Sequence, residues 1–177
     1  YLNAAEQIAE QVVYAPNADN QAEKVIQLEQ FKPTGLVKDG AVRFYTNGKV
    51  MAEFEVPFDG KYQLRIKVDA DQAGGVDAKM SLQIDDFEFE ENTKFNISSL
   101  VEGPRIEKTA YKQLRAGKHT VQIGFENDFY NPTATEPSKR DRILIVFSVK
   151  LVGPERLPQD ILTELQREIL AVKVEPG

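Results

Sequence analysis

The sequence predicts an all-β fold, an antiparallel β-sandwich of jelly-roll type with a short helix at each end. Three observations carry this expectation. From about residue 25 onward apolar residues recur at every second position, the period of a half-buried strand. Asn, Asp, Gly and Pro interrupt these runs at short intervals. Seven or more such runs follow one another with no helical pattern between them, which argues for antiparallel sheets rather than strand–helix–strand units.

The elements follow in order. "YLNAAEQIAEQVV" sets Leu2, Ala5, Ile8, Ala9 and Val12 on one helical face, and "APNADNQAE" ends that pattern. "VIQLEQF" and "AVRFYTNGKVMAEFEV" read as strands, with Asn47-Gly48 the strongest hairpin signal. Asp59-Gly60 makes a turn, after which Tyr62, Leu64, Ile66 and Val68 share one face, as Met80, Leu82 and Ile84 do in the next run. That run ends in a turn near Asp85-Asp86, and the acids of "DDFEFEE" suit a solvated edge that discourages edge-to-edge pairing. "TAYKQLRAGKHTVQIGF" predicts a hairpin about Ala116-Gly117-Lys118, with His119, Val121, Ile123 and Phe125 on one side. "RILIVFSVKLVG" is apolar almost throughout, as in a strand buried on both faces. "LPQDILTELQREIL" closes the chain with a helical stripe of Ile161, Leu162, Leu165 and Ile169. The expected division is a helix and linker over 1–24, the sandwich over 25–154 and a helix over 155–177.

Composition excludes several functions. The 177 residues carry a formal net charge of −6 with no cluster of Lys and Arg, so the footprint of a nucleic-acid binder is missing. No apolar run approaches the roughly 20 residues of a membrane span. The absence of cysteine removes disulfides, thiolate metal sites and thiol nucleophiles together. His119 is the single histidine, which makes a Ser-His-Asp arrangement hard to build, and its parity marks it as a structural residue. Many acids are present, but the sequence singles out no pair for glycosidase chemistry. The sequon Asn96-Ile97-Ser98 reads as chance. The start at Tyr1 and the ending "VKVEPG" read as cuts in a larger chain.

The stretch with most chemistry is "GFENDFYNPTATEPSKRDRILIV", residues 124–146. Two apolar runs enclose a polar loop with acids at both mouths. When the flanking runs pair, those acids come together. Taken by themselves, these residues fit either a long connection or a loop built around a cation.

The runs "FYTNGKVMAEFEVPFDGKYQLRIKVDA", "SLQIDD" and "LRAGKHTVQIGFENDFYNP…RDRILIVFSVKLVGP" resemble jelly-roll carbohydrate-binding modules, above all the calcium-dependent xylan-binding modules of families 36 and 60. The likeness spans about Val25 to Pro154. The flanking segments resemble those around such modules in large multidomain proteins of planctomycetes and related bacteria, many with a c-type cytochrome domain. The resemblance implies a non-catalytic module of a secreted or periplasmic protein, with polysaccharide and neighbouring domains as partners. It also implies calcium as a cofactor, whose coordination vicinal sugar hydroxyls complete. The matching metal positions are Asn127, Asp128 and Asp141, and Glu136 of the same loop can lend an oxygen. With no tryptophan in the chain, Phe129 and Tyr130 become the sugar platform, and Asn131 lies beside them.

Two positions depart from the family pattern: Ile143 stands where "DRNL" has Asn, and Phe147 where the same strand carries Asp. The second departure leaves Glu29, a match for a structural-calcium ligand, without its partner. At "KRDR" the charges of Lys139, Arg140 and Arg142 are placed in sequence to neutralise Asp141. A second reading stays open, a ligand-free scaffold module that orients catalytic or cytochrome domains.

Overall fold

A computed structural model describes residues 22–85, 87–88, 94–98 and 105–155. The two terminal helices expected from the sequence lie outside these residues. Among the described residues eleven strands form: β1 (Glu23–Ile26), β2 (Val37–Lys38), β3 (Ala41–Phe44), β4 (Gly48–Val56), β5 (Gly60–Asp71), β6 (Ala78–Ile84), β7 (Phe87–Glu88), β8 (Lys94–Ile97), β9 (Ile106–Leu114), β10 (Gly117–Phe125) and β11 (Ile143–Glu155).

They make two antiparallel sheets. One has the order β2-β3-β11-β5-β9, with β1 also on β11; the other has the order β4-β10-β6-β7, with β8 also on β6. The inward rows of both sheets meet in one core. Tyr62, Leu64, Ile66 and Val68 of β5 face Val50, Ala52, Phe54 and Val56 of β4 and Val121, Ile123 and Phe125 of β10 across it. The period of two therefore identifies the core correctly in these strands. The charged residues between the core positions of β4 and β5 stay solvated because successive side chains point to opposite faces.

The hairpin expectations fail at two places, for one reason. Asn47-Gly48 joins β3 to β4, which pair with β11 and β10 respectively and not with each other. Ala116-Gly117-Lys118 likewise joins β9, on β5, to β10, on β4 and β6. In both cases the chain crosses from one sheet to the other instead of folding back on its neighbour. The turn after Ile84 does close a hairpin, β6 with β7, and Asp85 adopts the left-handed conformation there (φ 53°). "VIQLEQF" is shorter as a strand than expected. β1 ends at Ile26, and a 3-10 turn over Leu28–Gln30 places Glu29 on the surface.

β11 is the central strand of its sheet. It pairs with β5 along one edge and with β3 and then β1 along the other. A bulge between Val146 and Ser148 leaves Phe147 without a partner on β5. The extra residue resets the alternation, so that Leu144 and Val146 before it and Val149 and Leu151 after it all reach the core. Phe147 takes the Arg105 guanidinium over its ring at 3.4 Å.

The topology gathers three connections at one end of the sandwich. The ends of β3, β5 and β10 and the starts of β4, β6 and β11 coincide there. The links 45–47, 72–77 and 126–142 therefore lie together. Beneath them Phe44 packs against Phe125, with ring centroids 6.4 Å apart.

Candidate functional site at the loop-bearing end

The loop from Glu126 to Arg142 is closed at its mouth by backbone hydrogen bonds. The Arg142 amide donates to the Phe129 carbonyl at 3.0 Å, and the Asn131 amide donates to the Arg140 carbonyl at 2.7 Å. Tyr130 and Asp141 form the bridge between them. The two acidic mouths are thus brought together, though not by pairing of the flanking strands as the sequence leads one to expect: β10 and β11 lie in different sheets, and the loop's own bonds join its arms.

Arg142 fixes this closure. It is 5% exposed, and its Nη1 and Nη2 donate to the carbonyls of Asn127 and Ala73, each at 2.5 Å. Its guanidinium carbon lies 5.4 Å from the centre of the Phe129 ring. Gly74 (φ +72°) completes the packing: a Cβ at this position would lie 2.9 Å from Phe129 Cδ2 and 3.1 Å from Arg142 Nη2. One buried cation thus ties the 72–77 link to both arms of the long loop.

The predicted site residues divide into those turned inward and those left free. Asn127 spends its side chain on the neighbouring link. Its Oδ1 accepts from the Lys79 amide at 2.6 Å, and its Nδ2 donates to the Asp77 carbonyl at 2.8 Å. Phe129 is half-buried against Gly74 and Arg142. Asn131 Oδ1 accepts from the amide and the hydroxyl of Thr133, at 3.1 and 2.7 Å, in a local turn. Glu136, just before the 3-10 turn Pro137–Lys139, pairs with Lys139 at its end at 2.8 Å. Asp128 is exposed, its amide donating to Asn47 Oδ1 at 2.6 Å. Tyr130 is 66% exposed, the most open large hydrophobic side chain among the described residues.

The basic residues of "KRDR" do not neutralise Asp141. Lys139 is taken by Glu136, Arg140 Nε by the Ala134 carbonyl, and Arg142 by two carbonyls. Burial pushes the Asp141 carboxyl above the usual carboxylate range, and the charges of Asp128 and Asp71 push it further; a hydrogen bond from the Arg142 amide opposes them. Asp71, at the end of β5, is also raised, by burial and by Asp69, against the pull of Arg43. Three carboxylates from separate segments therefore repel one another at this end. Among the described residues no three Asp, Glu or His side chains stand close enough to enclose an ion by themselves. Backbone, water or ligand oxygens would have to complete a coordination shell.

Asp71, Asn47 and Arg142 as an anchor were not found from the sequence. The alternation of "KVDAD" marks Asp69 and Asp71 as facing away from the core, but only the β5–β11 register, with Asp71 opposite Ile143, places Asp71 beside Asp141. The sequence places Arg142 only as a charge beside Asp141, not as a buried anchor.

A family model described as a calcium-dependent, xylan-binding carbohydrate-binding module, family 60, matches residues 63–165. Solved structures with a similar fold include a family 35 carbohydrate-binding module from Clostridium thermocellum, at 12% identity and a TM-score of 0.48, covering 73% of this chain and 97% of that one. A family 35 module from Cellvibrio japonicus gives 15% identity and a TM-score of 0.49, covering 75% and 94%. A family 36 module of a multidomain xylanase from the hindgut metagenome of Trinervitermes trinervoides gives 16% and 0.46, covering 77% and 100%. No curated protein matches the chain.

Proposed function

The chain belongs to the calcium-dependent, xylan-binding carbohydrate-binding modules of family 60, and from that premise we propose that it binds polysaccharide, without catalysis, at the loop-bearing end of a jelly-roll sandwich. In this reading Asp128 and Asp141 hold Ca²⁺, with Asp71 as a neighbouring acid and Tyr130 as the sugar platform. The single observation that carries it is the closed loop mouth, where the Tyr130–Asp141 bridge sets the acids of the two arms together around Asp141. Its carboxyl is raised by burial and by Asp128 and Asp71, and a cation seated among these groups would relieve that repulsion.

The donor chemistry suits the ion. Ca²⁺ takes six to eight oxygens in loose geometry, so carboxylates at the mouth of a loop can be supplemented by carbonyls and water. When bound, Ca²⁺ supplies coordination positions that vicinal sugar hydroxyls can fill. The chain's own residues do the remaining work. Arg142 holds both arms of the loop so that Asp128 and Asp141 keep their spacing. Asn127 ties the loop to β6 and serves as an anchor, its Oδ1 accepting from the Lys79 amide with one lone pair left for a cation. Tyr130 offers an apolar ring to the flat face of a sugar.

We take the module to extend over 25–154 within a larger secreted or periplasmic bacterial protein of the planctomycete type, its flanks leading into neighbouring domains. One observation favours the scaffold alternative: the Asn127 amide is already committed to backbone partners. Affinity electrophoresis through soluble xylan decides between the two. Retardation in calcium that disappears in EDTA and in Asp128→Ala supports the binding function. Equal mobility in all three lanes supports the scaffold.

A further inference from the structure

The outer face of the six-stranded sheet carries a second grouping of aromatic and polar side chains, remote from the acidic loops. Tyr62, Leu64, Ile66 and Val68 of β5 enter the core, so Gln63, Arg65 and Lys67 project outward. The register sets Gln63 opposite Tyr111 of β9, and Arg65 between Thr109 of β9 and Lys150 of β11.

Tyr111 is 46% exposed, yet it is held in place. Its hydroxyl accepts from Gln63 Nε2 at 3.1 Å, and the Lys61 ammonium lies 5.0 Å from its ring centre. Gln63 Oε1 in turn accepts from Arg65 Nε at 2.8 Å. This relay orients the guanidinium while its Nη groups make no hydrogen bond to a described residue. The other cations of this face differ: Lys150 pairs with Glu23 at 2.5 Å and Lys61 meets Glu155 at 4.0 Å. Among the described residues Arg65 and Lys67 have no carboxylate within ion-pair distance. Lys67 stands opposite Glu107 in the β5–β9 register, which leaves Arg65 as the uncompensated cation; in a chain of net charge −6, its oriented guanidinium beside a fixed, exposed ring suits an anion that also has an apolar face.

We propose that this face is a second carbohydrate-binding surface, independent of calcium, for a polysaccharide that carries carboxylates. The Tyr111 ring takes the apolar face of one sugar. The planar Arg65 fork takes a carboxylate through two parallel N–H groups. Asp69 and Asp71, farther along β5, repel the same polymer from the loop-bearing end, which separates this surface from the one above. The inference does not depend on the calcium reading.

Electrophoresis through polygalacturonate in EDTA tests it, with neutral xylan in calcium run alongside as an independent report on the loop. The expected result is retardation by polygalacturonate in EDTA that shrinks as NaCl rises. Tyr111→Ala and Arg65→Gln, both at solvent-facing positions and checked for unchanged melting, should each weaken it about tenfold, as loss of a charge-assisted contact implies, while Asp141→Asn keeps it. Absence of retardation in EDTA would overturn the proposal. So would retardation unmoved by Tyr111→Ala and Arg65→Gln, or retardation lost in Asp141→Asn.

Discussion

Replacing Arg142 by Met tests how the loop-bearing end is built. Met fills much of the same volume against Phe129 and Gly74 but cannot donate to the carbonyls of Asn127 and Ala73. Two bonds from a charged donor are worth about 1.5–3 kcal/mol each. Against that loss, burying a guanidinium costs several kcal/mol of solvation, which the variant recovers in part. The net is a destabilisation of about 2–3 kcal/mol, or a fall in Tm of about 5–10 °C for a domain of this size. Thermal unfolding measures the first quantity, and hydrogen exchange locates it. Exchange should quicken at the amides of Asn131 and Arg142, which close the mouth of the loop, while core amides of β5 and β10 change only by the global amount. A Tm within a degree of wild type, with both loop amides still protected, would refute the claim that Arg142 holds the loop.

Asp141→Asn should raise the melting temperature of calcium-free protein, because it removes a carboxylate held against Asp128 and Asp71, and should abolish any shift on adding calcium. Burial of this carboxyl, with the same repulsion, sets a pH dependence. A raised acid binds its proton more tightly folded than unfolded, so its cost is present above the folded pKa and is relieved as pH falls through it; wild type should lose less stability on acidification than Asp141→Asn does. His119 works in the opposite sense. Its Nδ1 faces Asp85 Oδ2 at 2.5 Å and its Nε2 faces the Arg115 carbonyl at 2.7 Å, so both nitrogens meet acceptors, an arrangement that favours the doubly protonated ring. Burial lowers its pKa, but the hydrogen bond to Asp85, the bond to Arg115 and the charge of Asp85 outweigh burial, and the net shift is upward. Its stabilisation is therefore full below the ordinary histidine pKa of about 6.5 and is lost as pH rises through the folded value; the gap in Tm between wild type and His119→Gln should close over that range. Gly74→Ala should cost about 1–3 kcal/mol, from a left-handed backbone and the contact with Phe129, read by urea unfolding.

The core was legible because burial imposes a strict period. Leu64, Ile66, Val68, Leu82, Ile84, Val121 and Ile123 alternate in sequence and all lie in the core. Strand partnership was not legible, since Asn47-Gly48 and Ala116-Gly117 carry the same local turn chemistry whether the chain folds back or crosses to the facing sheet. At the site, the acids at both mouths of the loop could be read from the sequence, although the runs that bracket it enter different sheets rather than pairing, and the loop's own bridge joins its arms. Three features could not. Asn127 is an anchor because the Lys79 amide and Asp77 carbonyl, distant in sequence, lie against it. Arg142 is buried because Ala73 and Asn127 present carbonyls to it. Asp71 joins the acids only through its register with Ile143. The family likeness identified the loop, and the resemblance of residues 63–165 to a family 60 module agrees with it, but side-chain commitments of this kind depend on the folded chain.

The most direct test of the central claim is a calorimetric titration of calcium into EDTA-stripped protein, with Asp128→Ala alongside. The account predicts a single saturable binding event, in the micromolar to millimolar range typical of open oxygen sites, and its loss in the variant. No heat of binding and no thermal shift in wild type, or binding that survives Asp128→Ala unchanged, would contradict it.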